Sequence, residues 1–255
     1  MSDMLDDEEL MRYSRQLLMP GFDVPGQQAL KRSRILVVGA GGLGCPVVLY
    51  LAAAGVGAIH VADDDCVELA NLQRQIAFTM DDVGQPKARV LAERARRINP
   101  ATEVYPEQLR LDQALLYERV RGVDLVVDAT DNFRIRFAMN RVCFELGVPL
   151  VSGAAIRAEG QVSVFDPRSP QSPCYQCLYS DVGEEGLSCS EAGVLGPLVG
   201  MIGATQAMEA LKLLAGVGDP LRGRLLILDA WTMQWREMKV PRDPGCPVCA
   251  NAPAE

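Results

Sequence analysis

The chain has one histidine in 255 residues, His60. It falls inside Ala58-Ile-His-Val-Ala62, an apolar run that reads as a strand. A histidine there is read as a core residue, which leaves no Ser-His or Cys-His dyad to argue for. Positive charge is also short. Lys and Arg number 25 against 33 Asp and Glu, a formal net charge of −8. That balance argues against nucleic acid as the main partner. An apolar leader is missing too: Met1 to Glu9 is acidic, so no signal peptide is expected. Residues 192–208 form an uncharged stretch of 17 positions interrupted by Gly193, Gly196, Pro197, Gly200 and Gly203. It is short for a membrane span and is expected to be a buried core helix. No membrane partner is therefore expected.

What is present is a soluble composition, 49% hydrophobic and 23% charged, enough for a substantial core. The length allows one large domain or two small ones. Eight cysteines in so long a chain suggest metal or thiol chemistry in a reducing compartment rather than a disulfide framework. A cytoplasmic protein is expected.

The densest signal is Ile35-Leu-Val-Val-Gly39-Ala-Gly41-Gly42-Leu-Gly44-Cys-Pro46. Ile35 to Val38 reads as a buried parallel strand. The glycines permit a tight turn and close approach of backbone to a phosphate. Pro46 suits the first turn of a helix that runs to Ala54, with Gly55 as its C-cap. A helix N-terminus behind such a loop is an anion site. Asp63 ends the next strand, 19 positions after Gly44, where dinucleotide folds hold a ribose hydroxyl. Residues 35–63 thus read as a βαβ unit for a nucleotide.

An amphipathic helix over 6–18 precedes this unit and carries Arg12 and Arg15. After Asp63 the chain departs from a dehydrogenase. Asp63-Asp64-Asp65 leads to Asn71-Leu-Gln-Arg74-Gln75, residue types suited to phosphate and base contacts. Gly84-Gln-Pro86-Lys87 then opens a helix to Ile98, with Pro86 in its first turn and Lys87 at its positive end. Val123 to Asp128 is a further strand. Its end, Asp128-Ala-Thr-Asp131-Asn132, falls at the carboxyl edge of a parallel sheet, where ligands bind. Asp131 suits Mg²⁺ on phosphate oxygens, and also suits the N-cap of a helix over 132–146. Strands are expected at 148–152, 160–165 and 224–228, and a glycine-rich helix at 197–215.

Cys174-Tyr-Gln-Cys177 and Cys246-Pro-Val-Cys249 are separated by 68 residues. Two such pairs fit a structural zinc held by four thiolates. Between them, Asp181 to Gly193 reads as a loop bearing Cys189. That thiol is either a nucleophile for an acyl or persulfide intermediate, or passive. No basic neighbour that would lower its pKa is visible.

Arg12-Tyr-Ser-Arg15-Gln, Gly39-Ala-Gly-Gly-Leu-Gly44, Asn71-Leu-Gln-Arg74-Gln, Gly84-Gln-Pro-Lys87, Asp128-Ala-Thr-Asp131-Asn and the two CxxC pairs together resemble the MoeB/ThiF family. Its members are bacterial relatives of ubiquitin-activating enzymes. The resemblance covers about residues 8 to 249. It implies an α/β, Rossmann-like fold with a mixed, mostly parallel sheet flanked by helices, plus the zinc site. One adenylation domain over 1–255 is then expected: a helical arm at 1–30, a nucleotide core at 31–170, and a zinc-stapled part at 171–255 with its loop at 180–191. It also implies a homodimer that uses ATP and Mg²⁺ to adenylate the C-terminal Gly-Gly of a small ubiquitin-like sulfur carrier.

By matching position, Gly39, Gly41, Gly42, Gly44, Asp63, Asp65, Asn71, Arg74, Gln75, Lys87, Asp131 and Asn132 would surround ATP or its metal. Arg15 would reach the neighbouring subunit's site, and Cys189 matches the family's loop cysteine. Ser152-Gly-Ala-Ala-Ile-Arg157 and Ser188-Cys189-Ser-Glu-Ala-Gly resemble the molybdopterin branch more than the thiamine branch. No sulfurtransferase segment follows Cys249, so a separate sulfur donor protein is expected. The alternatives are an NAD-linked oxidoreductase, suggested by the glycines and Asp63, and a non-catalytic zinc-stapled binding module.

Overall fold

Strand β1, Arg34–Val38, is buried at every position after Arg34. In the computed structural model, which describes residues 4–179 and 193–250, it lies near the middle of an eight-stranded sheet of order β3-β2-β1-β4-β5-β6-β7-β8. Strands β2 (Ala58–Ala62), β3 (Glu103–Glu107), β4 (Leu125–Asp128) and β5 (Leu150–Ile156) run parallel with it. Strands β6 (Glu159–Phe165), β7 (Arg224–Asp229) and β8 (Gln234–Lys239) continue the sheet antiparallel. The chain leaves β1 towards β2 and β3, then returns on the other side through β4. That reversal opens a crevice at the carboxyl ends of β1 and β4, the usual ligand position in such sheets.

Both faces of the parallel half are covered. Ile35 and Val37 point into a core shared with α3 (Asp23–Arg32), α4 (Gly44–Ala54), α5 (Lys87–Ile98) and the long helix α9 (Gly196–Ala215). Leu36 and Val38 point the other way, into a core with α6 (Gln113–Val120) and α7 (Phe133–Leu146). This two-sided burial is why β1 and β4 are unbroken apolar runs.

Several boundaries depart from the sequence reading. The expected helix over 6–18 is two short ones, α1 (Asp7–Arg12) and α2 (Ser14–Leu17), broken at Tyr13. Tyr13 is buried, and its hydroxyl accepts a hydrogen bond from Asn99 Nδ2 at 2.8 Å, which turns the chain. Helix α3 spans Asp23–Arg32, where the sequence reading gives a helical arm at 1–30 but draws no separate helix. Pro25 lies in the first turn, where no amide bond is lost, and Gly26 packs its Cα against the Phe22 ring. Strand β3 holds Pro106, tolerated because β3 is the sheet's edge. Pro86 stands just before α5 rather than inside its first turn. The N-cap of α7 is Asn132, not Asp131: Asn132 Oδ1 accepts from the amides of Arg134 and Ile135.

Helix α9 is long and apolar enough for a membrane span by composition alone. Yet Leu198, Ile202, Gln206 and Ala210 are buried, and the helix packs on α4, β5 and β6. Gly203 sets that approach. A Cβ there would lie 2.5 Å from Pro46 Cγ and 2.6 Å from the Leu43 carbonyl. Gly200 meets nothing within 4 Å. Gly203→Ala should therefore cost about 1–3 kcal/mol through overpacking. Gly200→Ala should be neutral or stabilising by about 0.5–1 kcal/mol, because Gly is poor in a helix interior. Thermal unfolding of the two variants checks the order, and equal melting temperatures would refute the packing argument.

Candidate nucleotide site and four-cysteine centre

The loop after β1 is backbone packed on backbone. Gly39 has φ +99°, and a Cβ on it would lie 2.6 Å from the Ala129 carbonyl of the loop after β4. A Cβ on Gly44 would lie 1.9 Å from the Gly39 carbonyl oxygen. Neither position admits a side chain, so the two loops meet at the crevice and α4 starts directly behind them. Gly41 and Gly42 are half-buried beside Gln75 and Val199.

Asp63 follows β2 and is tied to this loop. Its Oδ2 accepts the Ala40 amide at 2.7 Å, and its Oδ1 accepts the Asp65 amide at 2.9 Å. Burial pushes the Asp63 carboxyl above the ordinary aspartate range, with these amides and Lys87 acting in the opposite direction. Asp65 Oδ2 lies 2.7 Å from Lys87 Nζ. The lysine side chain is 7% exposed and the acid 66%. Asn71 is buried and braces its own turn, its Oδ1 accepting the Glu68 amide at 3.1 Å. Arg74 donates to the Ala70 carbonyl at 3.0 Å. Gln75 is buried, and its Oε1 has no hydrogen-bond partner among the described residues. A buried acceptor of that kind awaits a donor. The segment Asn71–Gln75 abuts the start of α9, where a Cβ on Gly196 would lie 2.5 Å from the Gln73 carbonyl.

Across the crevice, Asp131 is exposed and has no hydrogen-bond or ion-pair partner among the described residues. A free carboxylate at the carboxyl end of β4 is a hard oxygen ligand of the kind Mg²⁺ takes. Behind it lies a pair that the sequence reading misses. Asp128 and Arg136 are both buried, with Arg136 Nε 3.4 Å from Asp128 Oδ2. Helix α7 carries Arg134, Arg136 and Arg141, and nothing in the sequence singles out Arg136.

Arg15 is not brought to this crevice. It is exposed on α2, beside Gln16, whose Nε2 donates to the Ala54 carbonyl at 3.1 Å. Tyr13 crowds Gly55. Both contacts are at the C-terminal end of α4, whereas the glycine loop is at its N-terminal end. An eleven-residue helix separates them by about 16 Å.

The four cysteines converge. The Sγ atoms of Cys174, Cys177, Cys246 and Cys249 all lie within 4.8 Å of one another. Neighbouring pairs stand at 3.9, 3.5 and 3.3 Å. A tetrahedral zinc with Zn–S of about 2.3 Å sets its sulfurs about 3.8 Å apart, so the donor set fits. The Asp243 amide donates to Cys177 Sγ at 3.4 Å, a bond that orients a ligating sulfur and offsets its charge. The turn α8 (Tyr175–Leu178) bears Cys177 and is fastened to α7 by Asn140, whose Oδ1 accepts the Tyr175 amide at 2.8 Å. Cys189 and most of its loop lie outside the described residues.

The ThiF family model matches residues 13–248. This chain belongs to the ThiF family. It is 51% identical to an Escherichia coli molybdopterin-synthase adenylyltransferase, over 97% of this chain and 99% of that one. It is 47% identical to a Thermus thermophilus sulfur carrier protein adenylyltransferase, covering 97% and 93% respectively. An Escherichia coli sulfur carrier protein ThiS adenylyltransferase is 43% identical over 98% of this chain and 99% of its own. Among solved structures, Escherichia coli MccB with ATP superposes with a TM-score of 0.83 over 93% of this chain and 73% of that chain, at 24% identity. That likeness concerns the fold alone. It agrees with the mixed, mostly parallel sheet expected from the sequence, and the family is the one its motifs resemble.

Proposed function

We propose that this protein is an ATP-dependent adenylyltransferase of the molybdopterin branch. It activates the C-terminal glycine carboxylate of a small ubiquitin-like sulfur carrier as an acyl-adenylate and releases pyrophosphate. The observation that carries the reading is Lys87. It is a buried cation fixed beside the glycine loop, with Asp131 across the crevice. The adenylyltransferase relatives favour ATP over a nicotinamide dinucleotide as the anion it meets.

The chemistry follows from charge. The carrier carboxylate attacks the α-phosphorus of ATP, so two anions have to meet. Lys87 and Arg74 offset that repulsion and steady the departing pyrophosphate. Gly39 to Gly44 let main chain and the start of α4 approach the phosphates. Gln75 Oε1, buried and unpaired, is left to accept from the nucleotide. Asp63 takes part both in anchoring the loop and in holding the ribose. Mg²⁺, held by Asp131, would supply further charge neutralisation on the phosphate oxygens. The β7–β8 hairpin offers exposed apolar side chains to a protein substrate, Trp231 and Met233 at its turn and Trp235 and Met238 on opposite faces of β8.

The position of Arg15 supports a homodimer with shared sites, since it lies at the wrong end of α4 for its own. The four cysteines are read as a structural zinc site, suited to a reducing cytoplasm. Sulfur then arrives from a separate donor protein. The identity to a ThiS adenylyltransferase keeps the thiamine carrier as the second reading of substrate.

Carrier-dependent ATP–pyrophosphate exchange tests the chemistry. Lys87→Ala should lose it by about a hundredfold or more, as expected for a preorganised charge in a transition state. Asp131→Ala should be similarly impaired. Cys189→Ala should stay within about tenfold, a barrier change of about 1.4 kcal/mol. Loss with Cys189→Ala and retention with Lys87→Ala would reverse the assignment.

Mixing an Arg15→Ala chain with a Lys87→Ala chain should restore part of the exchange, because one site in the mixed dimer keeps both residues. Verified mixed dimers without recovery would argue against sharing. Metal analysis should find one zinc per chain, and Cys246→Ser should lower both zinc content and thermal stability. Purified protein with no zinc and four free thiols in the two CxxC pairs would refute the zinc reading.

A further inference from the structure

The loop that presents Asp131 is held from three directions. Ala129 donates its amide to the Val38 carbonyl at 2.9 Å, as a continuation of the sheet. Thr130 donates through its amide at 3.0 Å and its hydroxyl at 2.7 Å to Asp128 Oδ1. The Thr130 carbonyl accepts from Arg136 Nη2. Asn132 is spent on the cap of α7. Asp131 alone in this loop keeps its side chain unengaged among the described residues.

Arg136 is the keystone of this arrangement. Its side chain is 6% exposed and that of Asp128 1%. Its guanidinium also donates to the Gly153 carbonyl of β5 at 3.3 Å. Asp128 Oδ2 accepts the Ser152 hydroxyl at 2.8 Å, and the Asp128 carbonyl accepts Gln206 Nε2 of α9 at 2.6 Å. Asp128 and Arg136 therefore join β4, β5, α7 and α9 around a loop of four residues. Burying two charges costs desolvation that an apolar pair of similar volume avoids. Stability alone does not account for it. A planar guanidinium whose Nη2 reaches both main-chain carbonyls while its Nε faces Asp128 does fix a backbone direction.

We propose that Arg136 is a positioning residue: paired with Asp128, it clamps Thr130 so that the Asp131 carboxylate is held ready for the divalent cation of the nucleotide. This rests on the reading of Asp131 given above. Lysine at this position keeps the charge but has one nitrogen in place of the rigidly spaced Nε and Nη2 that face Asp128 and the two carbonyls.

The test uses the full-length chain, with Mn²⁺ as the probe. Mn²⁺ binding in the presence of a non-hydrolysable ATP analogue is followed by electron paramagnetic resonance. Arg136→Lys is expected to weaken Mn²⁺ about tenfold and to raise the Mg²⁺ concentration for half-maximal exchange by a similar factor. Analogue affinity without metal should stay within about threefold. In an Asp131→Asn background, Arg136→Lys should add little, because coupled residues are not additive. Thr130→Val, which removes one tether and leaves the ion pair intact, should weaken Mn²⁺ about threefold and serves if Arg136→Lys does not fold.

Unchanged Mn²⁺ binding in a folded Arg136→Lys or Thr130→Val chain overturns the proposal. So does full additivity with Asp131→Asn. Unchanged Mn²⁺ binding in Asp131→Asn itself overturns the metal role of Asp131, a failure distinct from that of the clamp.

Discussion

The structure depends on one contact between two stretches of main chain. Gly39 of the loop after β1 lies against the Ala129 carbonyl of the loop after β4. Two parallel strands of a twisted sheet can bring their following loops this close only if one of them lacks a Cβ. From that contact the crevice takes its depth. It also aligns the start of α4 with the β4 loop, so an anion on the helix lies within reach of a carboxylate across from it. Everything charged in the site is arranged around this uncharged seam.

The charges are then distributed by burial. Lys87 is buried, whereas Asp65 and Asp131 are exposed. Asp63 lies between, bound to two amides and half-buried. On the proposed reading, a fixed cation and fixed amides would face the phosphates, and the acids that would accompany a metal are the exposed ones. Preorganisation of this kind needs no rearrangement of the protein at the moment of reaction. The cost is carried below the site, in the sealed Arg136–Asp128 pair and in Gln206, whose Oε1 is also buried without a partner among the described residues.

Much of this is legible in the order of residues alone. The parallel strands betray themselves as unbroken apolar runs, and the glycines as a loop, because sterics leave few alternatives at those positions. The two CxxC pairs converge as their spacing suggests, because sulfur ligands leave a sharp compositional trace. What escapes has a common cause. The break between α1 and α2 at Tyr13 hides because its hydroxyl is held by Asn99, far along the chain. Asp131 and Asn132 are adjacent residues equally able to cap a helix, and only φ and ψ decide between them. Arg136 looks like any arginine on a charged helix until its burial is seen. Local chemistry is written in the sequence, whereas long-range pairing has to be folded to be read.

The Lys87–Asp65 pair has a further consequence. Lys87 is sealed and cannot leave, while Asp65 is two-thirds exposed and can. The carboxylate is thus a tethered counterion, present near the ammonium at the high effective concentration that a short link provides. On the proposed reading, an incoming phosphate would compete with it rather than fill an empty charge. When a polyphosphate departed, the same carboxylate would return without waiting for an ion from solution. The site would rinse itself between turnovers, trading some affinity for the nucleotide against freedom from product that would otherwise linger on a buried cation.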